Sequence, residues 1–292
     1  MTDETSSKVA PRGADEGGTA EEAPAETGHA RIAAAFAGAQ GRAALMPYMM
    51  GGFPTVEDSA RIGEAYADAG ADLIELGVPF SDPLADGPVI HAAGTRALEA
   101  GATLHHVLEV GTRLAERVPV VLMCYSNPIL ARGVERFADQ LAVRRISGLV
   151  VPDLPLEEAP AVLEACDAAG IALVPLVAPT TPDDRLAAIG ARARGFLYTV
   201  SVTGTTGEKE GPARPDAAEL IARAKASTDT PVALGFGIST PEQAAAAADA
   251  GADGVIVGSR LVRAAAEAAD AGEDPAATVG SVVAELARGL SR

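Results

Sequence analysis

Tryptophan is absent from this 292-residue chain, and aromatic residues make up only 3% of it. Aliphatic side chains and alanine must therefore fill whatever core it builds, and with 48% hydrophobic residues they are numerous enough to do so. Cysteine occurs only at 124 and 166, a spacing that fits neither a metal site nor a disulfide framework. Lysine occurs only at 8, 209 and 225, and the net charge is −17. Such a balance excludes nucleic acid and anionic membrane as main partners, because their phosphates would be repelled. No apolar run approaches the ~18 residues of a membrane span. Residues 1–29 almost lack large apolar side chains and carry seven acids against Lys8 and Arg12. That segment is expected to be a disordered acidic tail, with residues 30–292 forming one domain. It has neither the apolar region of a signal peptide nor the acid-poor composition of a transit peptide, so a cytoplasmic protein is expected.

What the chain does have is a repeat. Eight short apolar runs each end in Gly, Pro, Ser or Asp: ALMPYMM (44–50), DLIEL (72–76), PVVLMC (119–124), GLVV (148–151), ALVPL (172–176), GFLYTV (195–200), PVALGF (231–236) and GVIVG (254–258). Between them lie Ala- and Leu-rich helical patterns near 56–69, 89–100, 105–116, 134–144, 157–169, 182–193, 214–226, 240–250 and 260–271. Runs without alternation are those of parallel strands covered on both faces. Gly70, Gly170 and Gly251 fit the left-handed position that closes a helix before the next strand. Eight such units over about 250 residues predict an α/β fold, a (β/α)8 TIM barrel. Extra helices are expected at the N-terminal side, near 30–39, and at the C-terminal side, near 275–289. An open doubly wound sheet is the alternative, but no GxGxxG turn follows the first run.

In such barrels chemistry gathers at the carboxyl ends of the strands. The stretch ELGVPFSDPLADGP (75–88) begins there, with Glu75 closing the second run and three prolines stiffening the loop that follows. Ile74, Leu76 and the barrel interior would strip water from Glu75, raise its pKa and suit it to proton transfer near neutral pH. It could instead merely tie a strand end to a backbone amide. Asp86 could be a second functional acid or a helix cap, and Asp82 a substrate contact or a turn former.

A second signal is anion chemistry. The seventh run leads into Gly235-Phe236-Gly237-Ile238-Ser239 and the eighth into Gly258-Ser259. A helix starting at Arg260 would aim its N-terminal amides at a phosphate, and the Gly-rich loop 201–211 after the sixth run could close over a ligand as a lid.

Taken together, ELGVPFSDPLADGPVI (75–90), PYMMGGFP (47–54), YSNPIL (125–130), GLVVPDLPLEE (148–158), SVTGTTG (201–207), GFGIS (235–239) and GADGVIVGS (251–259) resemble the tryptophan synthase alpha subunit family, in its order and at its spacings. The resemblance implies retro-aldol cleavage of indole-3-glycerol phosphate to indole and glyceraldehyde 3-phosphate, within L-tryptophan biosynthesis. It implies that Glu75 is the principal acid–base and that Asp86 holds the indole N–H. Tyr198 would sit near the indole, Gly207, Gly237, Gly258 and Ser259 would carry the phosphate, and Thr206 would close over Asp86. It also implies a partner beta subunit bearing pyridoxal phosphate, in an assembly of two alpha and two beta chains. SDPL (81–84) and the Asn127-Pro128 turn would face that partner. No cofactor or metal is expected on this chain itself. A related phosphate-binding barrel such as indole-3-glycerol phosphate synthase would require a lysine at a strand end, and none of the three lysines lies on a run. A stand-alone lyase, or a decayed accessory subunit, would keep the fold and change only the partner or the acids.

Overall fold

The computed structural model of the protein describes residues 26–39, 41–200, 215–235 and 237–291. Most of the acidic tail and the loop 201–211, with Thr206 and Gly207, lie outside the described residues.

Nine parallel strands form one sheet: β1 Ala44–Met50, β2 Ile74–Gly77, β3 Val120–Met123, β4 Gly148–Val150, β5 Ala172–Val174, β6 Leu176–Val177, β7 Leu197–Val200, β8 Val232–Gly235 and β9 Gly254–Val257. Their order is β5-β4-β3-β2-β1-β9-β8-β7-β6, and every neighbouring pair is parallel. The two end strands of that order are consecutive in the chain, separated only by Pro175. Because proline has no N–H to offer the ladder, it interrupts what the sequence reads as one fifth strand. Its carbonyl still accepts from Tyr198 N at 3.0 Å, so the sheet curls back onto itself as an eight-unit barrel.

Twelve helices are described: α1 Gly28–Gly38, α2 Val56–Asp68, α3 Pro88–Glu99, α4 Leu104–Ala115, α5 Ser126–Leu130, α6 Val134–Val143, α7 Ala159–Ala169, α8 Asp183–Gly190, α9 Pro215–Lys225, α10 Pro241–Asp249, α11 Ser259–Ala271 and α12 Pro275–Leu290. The predicted helices are all present, within a few residues at their ends. The addition is α5, five residues inside YSNPIL, too short to show a helical period. Gly70, Gly170 and Gly251 have φ of +100°, +71° and +97°, the left-handed values that favour glycine. The first helix begins at Gly28, two residues before the boundary that composition suggested, because Thr27 caps it and Gly28 N donates to Gly170 O at 2.8 Å.

Side chains alternate along each strand, which sorts the core into two parts. Ile32 of α1 joins Met46, Leu73, Val121, Val150, Val174, Phe196, Ala233 and Ile256 inside the barrel. Leu45, Ile74, Leu76, Leu122, Leu149 and Val255 point outward to the helices. Arg31, beside Ile32, is buried and donates to the carbonyls of Ala115, Val118 and Arg145 and to Ser147 Oγ, fastening α1 across the amino end of the barrel. The trailing helix α12 packs on α2, α10 and α11.

Candidate active site

Two positions after Leu73, the alternation of β2 turns Glu75 into the barrel interior. There it lines a pocket at the carboxyl ends of the strands together with Tyr48, Asp86, Met123, Leu176, Tyr198, Gly237, Gly258 and Ser259. Ile74 and Leu76, expected to desolvate it, face the helix layer instead. The tyrosine-lined interior removes the water, leaving Glu75 only 3% exposed. Burial pushes its carboxyl up from 4.5 to about 8, a hydrogen bond from Tyr198 pulls the other way, and the charge of Asp86 adds to the rise. Its Oε1 has no hydrogen-bond partner among the described residues. A carboxyl serving only to tie a strand end to an amide would not be left so.

Asp86 reaches the same pocket from the loop after β2. It is no helix cap: Gly87 is the N-cap of α3, which has no side-chain cap bond. Instead Tyr125 Oη donates to Asp86 Oδ1 at 2.9 Å and accepts from Ala85 N at 3.0 Å. Burial raises the Asp86 carboxyl, while the Tyr125 hydrogen bond and nearby His91 lower it. Asp82 is not part of the pocket lining; it is exposed and accepts from Ser81 Oγ.

Tyr198 is 5% exposed and donates its hydroxyl hydrogen to Glu75. Two glycines make room for the pocket's rings. A Cβ at Gly235 would lie 2.6 Å from the ring of Tyr198, and one at Gly77 would lie 2.1 Å from Tyr48 Oη. Gly237, with φ +80°, and the Gly258-Ser259 pair line the opposite side. The helix there starts at Ser259 with Gly258 as its N-cap, one residue earlier than the sequence suggested, and no side chain caps it. Leu261 N and Val262 N donate to Gly258 O, so an anion there would be met by the amides of Ser259 and Arg260. The pocket brings together Glu75, Asp86, Tyr198, Gly237, Gly258 and Ser259; Thr206 and Gly207 lie outside the described residues. Sequence reasoning missed Tyr48 and Tyr125. The only signal was their place on or just after strands, in PYMM and YSNP.

Among the described residues there is no group of three or more His, Cys, Asp or Glu side chains that could hold a metal ion. Nor is any described helix long and apolar enough to cross a membrane. One pocket joins a buried acid whose pKa burial raises, a second acid held by a phenol, apolar walls and a helix N-terminus. That set can move a proton at an apolar ring while anchoring an anion.

Residues 35–290 match the family described as tryptophan synthase alpha chain. The chain is 49% identical over 251 residues to the tryptophan synthase alpha chain of Prochlorococcus marinus (strain MIT 9313), covering 85% of this chain and 91% of the relative. It is 52% identical over 225 residues to that of Synechococcus elongatus, covering 76% and 84%. The fold superposes on a Mycobacterium tuberculosis tryptophan synthase structure with a TM-score of 0.82 at 38% identity, covering 89% of this chain and 98% of that one.

Proposed function

Because the chain belongs to the tryptophan synthase alpha chain family, lyases that cleave indole-3-glycerol phosphate in tryptophan biosynthesis, we propose that Glu75 is the acid–base of that cleavage and Asp86 its electrostatic partner. The protonated Glu75 carboxyl gives its proton to C3 of the indole ring, and positive charge develops toward the ring nitrogen. Asp86, ionised, accepts the ring N–H and stabilises that charge. The Glu75 carboxylate then takes the proton of the glycerol hydroxyl next to the scissile bond. As the O–H electrons become the carbonyl, the carbon–carbon bond breaks and its electron pair restores the neutral ring. Glu75 finishes protonated, ready for the next turnover.

The anionic end of the substrate rests on Gly237, Gly258 and Ser259 at the start of α11, where amides and helix dipole favour it without a lysine. Tyr198 sits against the indole and holds Glu75 in place. For Thr206 and Gly207 the family implies closure over Asp86 and phosphate contact. The reading is carried by one observation: Glu75 is the only buried carboxyl among the described residues, it faces the pocket, and burial pushes it up to about 8.

The family implies a beta-subunit partner. Two exposed apolar side chains favour docking at the pocket's rim: Leu84, 83% exposed in the loop before Asp86, and Leu130, 61% exposed at the end of α5. On this reading two alpha and two beta chains assemble in the cytoplasm, and pyridoxal phosphate belongs to the beta chain, which consumes the released indole. Indole release from indole-3-glycerol phosphate, measured with and without a beta chain, tests the proposal. Cleavage slowed at least ~100-fold by E75Q and strongly but measurably by D86N supports it, and cleavage indifferent to both refutes it.

A further inference from the structure

Two of the sequence's motifs have no duty in this reaction, yet both adjoin it: YSNP (125–128) and VVPDLP (150–155). The first carries α5, a single short turn of helix that cannot hold its own geometry. Tyr125 is its N-cap residue and supplies no side-chain cap bond. The cap comes from another loop. Asp153, just beyond β4, accepts from Ser126 N at 2.8 Å through Oδ1 and from Ser126 Oγ at 2.7 Å through Oδ2. A carboxylate accepting two such bonds at a helix start is a strong, directional clamp.

Immediately before Ser126, Tyr125 turns the other way. Its hydroxyl donates to Asp86 Oδ1 and accepts from Ala85 N, so it grips both the side chain and the backbone of the loop. Its ring stacks on Phe80, with centroids 5.2 Å apart, at the near end of the same loop. Loops after β2, β3 and β4 are thus tied in series at the pocket's edge.

We infer that Asp153 and Tyr125 are positioning residues for Asp86: Asp153 fixes Ser126, which sets the phenol that orients the Asp86 carboxylate. This deepens the proposed reaction and rests on the role given there to Asp86. Tyr125 is placed by its neighbour's cap, and Asp86 by Tyr125, so losing any link lets the carboxylate swing off the indole N–H. Because the phenol donates to the carboxylate, it also lowers the Asp86 pKa, opposing the rise that burial causes.

The test is steady-state cleavage of indole-3-glycerol phosphate by Y125F, S126A and D153A, each alone and combined with D86N. Misplacement of a reacting group costs up to ~100-fold. We therefore expect Y125F to lose about 10- to 100-fold in kcat with KM within about three-fold, D153A about 10-fold, and S126A less. In Y125F the acidic limb of kcat/KM moves to higher pH, which a merely structural loss would not produce. Combined with D86N, the three changes cause no further fall, because the group they orient is already gone. Y125F and S126A keep the backbone and the Asp153 carboxylate, so they decide the matter even should D153A fold poorly. Wild-type kcat and an unmoved acidic limb in Y125F would overturn the inference, as would losses that multiply fully with D86N. If D86N alone turns over normally, the role of Asp86 itself fails. If D86N is slow while Y125F and S126A are unaltered, only the relay fails.

Discussion

Tyr198 on β7 donates its hydroxyl hydrogen to Glu75 on β2, across the barrel interior. A phenol aimed at a buried carboxyl fixes the acid's direction, while Oε1 of that carboxyl has no partner among the described residues. That oxygen is the one that can meet a substrate atom.

Replacing Glu75 by glutamine keeps the size and removes the proton. A general acid–base contributes ~10²–10⁴ in rate, so E75Q should lose at least ~100-fold in kcat with substrate affinity little changed. Stability should move oppositely. Folding raises this carboxyl from 4.5 to about 8. The stability it lends is therefore full below about pH 4.5 and is lost as pH rises through about 8. Glutamine does not ionise, so E75Q should outlast the parent increasingly from about pH 4.5 to about pH 8 and by a constant margin above that, up to the order of 3–5 kcal/mol. Denaturant midpoints across that range check it; parallel curves for the two proteins would count against a raised pKa.

Gly235 tests the placement of Tyr198. An alanine methyl there would need the space of the ring, 2.6 Å away. G235A should displace the phenol, cut kcat at least ~10-fold and cost about 1–3 kcal/mol of stability, as overpacking does. Combining it with Y198F should add little, since the hydroxyl is already out of place. Kinetics and denaturation of the three variants decide this.

At the other end of the barrel, R31M would leave the buried carbonyl of Ala115 and the partly buried carbonyl of Arg145 without the donor that Arg31 supplies. A loss of about 2–4 kcal/mol is expected from unpartnered buried acceptors. The pocket lies at the opposite face, so kcat at a temperature where the variant is folded should stay within about two-fold. Thermal and chemical unfolding measure the first part, and indole release the second.

Partner docking through the rim makes a separate prediction. L84D or L130D places a charge on a side chain that is now exposed and apolar. Each should weaken the stimulation of cleavage by a beta chain by at least ~10-fold, as loss of a central apolar contact does. Titrating beta chain into a fixed amount of each variant gives the result; unchanged titrations would place the interface elsewhere.

The barrel was legible because parallel strands covered on both faces leave unbroken apolar runs, and β1 falls where ALMPYMM lies. The split of the fifth run at Pro175 follows from proline chemistry visible in ALVPL, although only pairing partners decide whether a strand breaks. The five-residue helix α5 leaves no periodic trace. Glu75 could be read because an acid closing an apolar run is unusual on its own. The source of its burial could not, since Tyr48 and Tyr198 reach it through neighbouring and opposite strands. Asp86 was ambiguous with a helix cap until its partner was seen, and that partner, Tyr125, stands 39 residues away in sequence. Relations between loops of different strands are set by closure of the barrel, and no local pattern records them.

The most direct measurement is the titration of the Glu75 carboxyl itself. Carbon-13 NMR of the chain labelled at glutamate side-chain carboxyls, with E75Q identifying the resonance, reports the pH at which that group loses its proton. A midpoint near 8 is the predicted result. A midpoint near the ordinary 4.5 would mean a solvated, ionised carboxylate at neutral pH, and would contradict its role as the acid that protonates the indole ring.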